Sequence, residues 1–103
     1  MHEQGLMRRA YDELLNLYQA HRASLDTLQE TIRQILPTRR RINVTMLQKF
    51  EEIVADTTQP PYVRARETLA AVFGRSRETV DKLLRPGMDA PRALRGLQGR
   101  RRG

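Results

Sequence analysis

Residues 69–84 read Leu69-Ala70-Ala71-Val72-Phe73-Gly74-Arg75-Ser76-Arg77-Glu78-Thr79-Val80-Asp81-Lys82-Leu83-Leu84, and the fold turns on them. Glycine closes a helix in a left-handed conformation that other residues adopt only at a cost, so one helix is expected to end at Gly74. Ser76 can accept from the free amides of the next helix as its N-cap. Val80, Leu83 and Leu84 recur at three- and four-residue spacing and give that helix one apolar side. The pattern predicts two short helices joined by a tight glycine turn, the second ended by Arg85-Pro86-Gly87.

Upstream, a further helix is expected at about residues 44–56. Thr45 and Gln48 match the capping-box spacing there, and Met46, Leu47, Phe50, Ile53 and Val54 form an apolar side. Thr57 to Pro61 reads as a loop, and Tyr62 opens the helix that runs through Phe73.

The quoted stretch resembles the helix-turn-helix of bacterial DNA-binding proteins at four positions: small Ala70, Gly74, β-branched Val80 and apolar Leu83. Ala70 falls where the first helix presses on the second. The resemblance implies binding to double-stranded DNA, the second helix entering the major groove with its N-terminal residues toward the base edges. It carries base-reading roles onto Arg77 and Glu78, with Arg75 and Ser76 at the helix start and Lys82 and Arg85 nearer the phosphates. Arg64 and Arg66, on the preceding helix, are expected to touch the DNA backbone. Asp81 is discordant, because it would face phosphates unless Lys82, Arg85 or Arg77 neutralises it. A merely structural hairpin has the same spacing, and this row is then a solvated helix face.

The first third reads as a separate object. Met7, Tyr11, Leu14, Tyr18, His21, Leu25, Leu28, Ile32 and Ile35 follow at alternating steps of four and three, the heptad spacing of a helical seam. No proline interrupts residues 3–36, and Pro37 stops the run. One helix of that length would extend roughly 50 Å at about 1.5 Å per residue, too long to bury its seam on a small domain. Self-association as a homodimer or small bundle is therefore expected, which would duplicate the reading helix for two half-sites. Tyr18 and His21 are polar, and Leu15 and Leu17 widen the apolar face, so a bundle fits better than a narrow two-stranded coil. His21 reads as a pH-responsive imidazole or as a polar residue partnered by the Tyr18 hydroxyl or water.

Charge divides along the same line. Net charge is +7, residues 1–36 holding four Arg against five acids and residues 37–103 holding fifteen Lys or Arg against seven. The excess positive charge thus travels with the C-terminal part, as expected for salt-sensitive binding to a polyanion. Arginine's planar fork suits phosphate and guanine edges, although a GC-rich genome also enriches arginine. The linker 37–43 carries Arg39, Arg40 and Arg41, either a strap across a phosphate backbone or a solvated hinge. The tail 88–103 ends in Arg100, Arg101 and Arg102, either a DNA-binding arm or a solubilising end.

Other chemistry finds little footing. Absence of cysteine removes disulfides and thiol nucleophiles, and His2 and His21 are too few for a metal site, so no metal or cofactor is expected. No Gly-rich phosphate loop or Ser-His-Asp set is present, and Glu51 and Glu52 point to different sides of a helix. Five aromatics are few for stacking single-stranded RNA. No apolar run approaches the roughly 20 residues of a membrane span, and the N-terminus lacks the order of a signal peptide, so a cytoplasmic protein is expected. The expected fold is all-α: a long N-terminal amphipathic helix (1–36), a basic linker (37–43), a helix-turn-helix bundle (44–87) and a basic tail (88–103). The expected function is non-enzymatic: a small DNA-binding repressor or accessory factor of a bacterium, plasmid or phage, nucleoid-associated in that role. The alternative is an adaptor or inhibitor whose long amphipathic helix docks on a host protein, with the bundle as scaffold.

Overall fold

The computed structural model describes residues 3–36 and 42–85, which form helices joined by turns with no strand among them. The order is α1 (Glu3–Gln19), α2 (Leu25–Ile35), α3 (Val44–Ala55), α4 (Pro61–Phe73) and α5 (77–85). α4 is the centre: α1 packs along it on one side and α3 on another, while α2 lies against both α1 and α3. The all-α class is as expected.

The continuous N-terminal rod is not found. The chain leaves the helix after Gln19, passes through His21 in a left-handed conformation (φ 58°), and restarts at Leu25. Ser24 nucleates the restart: its hydroxyl accepts from the Thr27 amide (3.2 Å), and the Thr27 hydroxyl accepts from the Ser24 amide (2.8 Å). That reciprocal cap satisfies amides that a mid-helix serine would not need to serve. Two helices of about 25 and 16 Å thus replace the 50 Å rod.

The seam residues consequently fill the core of their own chain. Met7, Tyr11, Leu14 and Tyr18 from α1 are buried together with Leu28, Ile32 and Ile35 from α2, and with Phe50, Ile53, Leu69, Val72, Val80 and Leu84. Heptad spacing persists across the break because both helices face one core. His21 is exposed and Leu25 is half-buried, so the seam lapses at the turn. Each large aliphatic removed from water contributes about 1.5–3 kcal/mol, and this burial removes the reason for a sister chain to cover the seam.

One buried polar network ties α1, α3 and α4. The Tyr18 hydroxyl donates to the Thr68 hydroxyl (2.7 Å), which donates to the Arg64 carbonyl (2.9 Å). The Tyr18 hydroxyl therefore serves Thr68 rather than the His21 imidazole. Arg64 is buried as well, with its guanidinium 4.6 Å from the Tyr18 ring centroid and bonded to the Ile53 (3.1 Å) and Val54 (2.7 Å) carbonyls at the end of α3. A cation at a helix C-terminus satisfies orphan carbonyls and opposes the helix dipole. Burial pushes the Tyr18 hydroxyl pKa up, the Thr68 bond and the Arg64 charge opposing it.

α3 begins two residues earlier than the capping-box spacing suggested. Asn43, not Thr45, is the cap, its side-chain oxygen accepting from the Met46 amide (2.9 Å). α4 opens at Pro61, where a missing N–H costs nothing.

Candidate nucleic-acid interface

α4 and α5 meet in the turn the sequence predicts. Gly74 is left-handed (φ 66°, ψ 34°), and both its amide and that of Arg75 reach the Ala70 carbonyl. A Cβ at Gly74 would meet nothing within 4 Å, so backbone conformation rather than space requires glycine here. Ser76 caps α5 by accepting from the Thr79 amide at 3.1 Å. Val80 and Leu84 are fully buried, whereas Ala70 and Leu83 are half-buried.

The opposite face of α5 is polar. Arg75, Ser76, Arg77, Glu78, Lys82 and Arg85 are all exposed. Arg66, Ser76, Arg77, Glu78 and Asp81 converge, with Val63, on a cleft between α4 and the start of α5. Arg75 and Arg77 also border a depression toward α3, shared with Lys49, Glu52 and Glu67. Lys82 and Arg85 continue along α5. Arg64 does not belong to this surface: it is turned inward onto α3, because the α3 carbonyls offer it fixed acceptors in a site of low polarity. Arg39, Arg40, Arg41, Arg100, Arg101 and Arg102 lie outside the described residues.

Three of the cations already hold acids. Arg75 grips Glu3 with two bonds, Nε to Oε2 (3.0 Å) and Nη2 to Oε1 (2.7 Å), and this contact raises the Arg75 pKa. Arg77 meets Glu67 at 3.1 Å. Arg66 pairs with Asp81 and stacks 5.0 Å from the Tyr62 ring centroid. Asp81 is thus paired from α4 by Arg66, a partner the sequence reading did not name for it. Tyr11 lies near this pair, and its hydroxyl pKa is raised, chiefly by burial, with Arg66 opposing.

α1 also holds α5 from the other end. Gln4 Nε2 donates to the Leu83 carbonyl (2.7 Å) and Arg8 to the Leu84 carbonyl (3.1 Å), satisfying the last turn of α5. Glu3, Gln4, Arg8 and Glu67 are functional candidates the sequence reading missed. Glu3 and Arg75 stand 72 positions apart, and no local pattern announces such a pair.

Charge is distributed more unevenly than the division between residues 36 and 37 suggests. Residues 3–36 hold four Arg against five acids and residues 42–85 hold seven Lys or Arg against six, so the described helices are neutral. The excess of +7 resides in residues 37–41 (+3) and 86–103 (+4). No protein-family model matches the chain, and no curated protein or solved structure is found to match it. Among the described residues, no group of three or more metal-ligating side chains forms, and no helix is long and apolar enough to cross a membrane.

Proposed function

We propose that the chain is a small DNA-binding protein, a repressor or accessory factor, that presents α5 to the major groove of duplex DNA. The observation that carries this reading is the α4–turn–α5 unit. A left-handed glycine and a serine cap fix the start of α5, and its exposed face opens with Arg75, Ser76, Arg77 and Glu78. In the proposed division of labour, Arg77 and Glu78 read base edges and Lys82 and Arg85 meet phosphates. Arg39–Arg41 and Arg100–Arg102 supply long-range attraction. Nucleoid association belongs to the same proposal. With the seam inside the core, pairing of two copies on half-sites would use another surface, which sedimentation with and without duplex would reveal.

The test contrasts reading with attraction. Arg77→Ala should cost about 1–3 kcal/mol on a preferred duplex and relax preference at one base position, whereas Arg100→Ala, Arg101→Ala and Arg102→Ala together should weaken all sequences alike and flatten the salt dependence. Fluorescence anisotropy at two salt concentrations reads both.

Electroneutrality of the described helices favours a second reading, a protein-binding adaptor. Its docking surface would not be the apolar side of α1, which is buried. Wild-type protein that binds no duplex at low salt would select this reading.

A further inference from the structure

Three arginines of the α4–turn–α5 surface are each held by an acid of their own chain, with which a DNA backbone must compete. The acids come from three elements: Glu3 from α1 on Arg75, Glu67 from α4 on Arg77, and Asp81 from α5 on Arg66. A surface meant only to attract a polyanion would leave these cations unopposed.

We propose that Glu3, Glu67 and Asp81 set the sequence discrimination of this surface by holding Arg75, Arg77 and Arg66 in ion pairs that random duplex must break without adequate return. The inference rests on the DNA-binding reading above. A phosphate and a carboxylate offer a guanidinium similar bonds, so exchanging one for the other gains little. The released acid then faces the phosphates and repels them. A matched sequence differs because it adds bidentate bonds from arginine to guanine O6 and N7, which random duplex offers only by chance, and this return offsets the broken pair. General attraction is left to the arginine clusters at 39–41 and 100–102.

Partly exposed pairs are individually weak, so the expected gain on release is about two- to five-fold each. The test uses the full chain, a mixed-sequence duplex, and a duplex selected by the wild type from a randomised pool. Glu3→Gln, Glu67→Gln and Asp81→Asn combined should tighten binding to the mixed duplex about ten- to a hundred-fold. The slope of log K against log salt should steepen by about 0.9 for each arginine newly engaged on phosphate. Affinity for the selected duplex should rise less, so discrimination falls. A charge-matched control, Glu13→Gln, Glu30→Gln and Glu51→Gln, alters three exposed acids elsewhere and should leave discrimination intact.

Equal gains from test and control, or an unchanged ratio between the duplexes, overturn the inference while leaving DNA binding standing. A wild type that binds neither duplex at low salt sinks both. If circular dichroism shows the triple variant unfolded, Glu67→Gln alone decides: a two- to five-fold gain on mixed duplex supports the inference, and none overturns it.

Discussion

Two chain reversals in this protein share one local construction and put it to opposite uses. Between α1 and α2 the backbone turns left-handed at His21, and Ser24 with Thr27 caps the next helix. Between α4 and α5 it turns left-handed at Gly74, and Ser76 with Thr79 caps the next helix. α2 then buries Leu28, Ile32 and Ile35, while α5 buries Val80 and Leu84 and leaves an arginine-rich row outside. Local chemistry thus determines that the chain reverses, and the residues spaced along the following helix determine what the reversal is for.

The largest effect tests whether the first reversal belongs to a single chain's core. Leu28 has no exposed surface, so Leu28→Asp places an unpaired carboxylate among apolar side chains and should cost about 4 kcal/mol or more. Circular dichroism should show an unfolded chain at every protein concentration, and the wild-type midpoint should not vary with concentration. A folded monomer from Leu28→Asp would return the seam to an interface between chains.

The second reversal should be broken by backbone geometry alone. Gly74→Val should cost about 2 kcal/mol, because a β-branched residue resists the left-handed region, whereas Gly74→Asn should cost much less. The comparison is informative because a side chain there meets no neighbour. Equal melting midpoints for both variants and the wild type would mean that α4 and α5 do not meet as described.

These two turns also differ in how far the amino-acid sequence alone reveals them. Gly74, Ser76, Val80 and Leu84 form a local pattern, since their partners lie within a few residues, and the sequence reading places them correctly. At His21 the same backbone is occupied by a residue that does not punctuate a helix as glycine does, and heptad spacing continues across the turn, so the break is disguised as one helix. Arg64 looks like its neighbour Arg66 on paper, but one bonds the end of α3 and the other meets Asp81. Which way an arginine turns depends on acceptors brought near by folding. The Glu3–Arg75, Gln4–Leu83 and Arg8–Leu84 contacts depend wholly on α1 returning to α5.

A smaller effect concerns the bond by which the first hairpin is held to α4. Tyr18→Phe removes the donor to Thr68 but leaves Thr68 bonded to the Arg64 carbonyl, so about 1–2 kcal/mol should be lost. The Tyr18 pKa is raised on folding, meaning that the native state prefers the neutral hydroxyl. Its stabilisation is therefore complete below the unfolded value of 10.0 and is lost as pH climbs through the higher folded value. Thermal melts above pH 10 should fall less steeply for Tyr18→Phe than for the wild type. Parallel alkaline profiles would remove Tyr18 from the account, leaving Tyr11 as the other raised hydroxyl.

The smallest effect makes the first turn resemble the second. A non-glycine residue pays about 1–2 kcal/mol for the left-handed region, while glycine forfeits about 0.5–1 kcal/mol through the greater freedom of its unfolded chain. His21 is exposed, so replacing it sacrifices little packing. His21→Gly should therefore stabilise by about 0.5 kcal/mol, a rise in midpoint of roughly 2–4 °C for a domain of this size. Binding to duplex should be unchanged, because residue 21 lies in the turn between α1 and α2 rather than on α5. A lowered midpoint would show that the imidazole, and not only the turn, holds the first hairpin together.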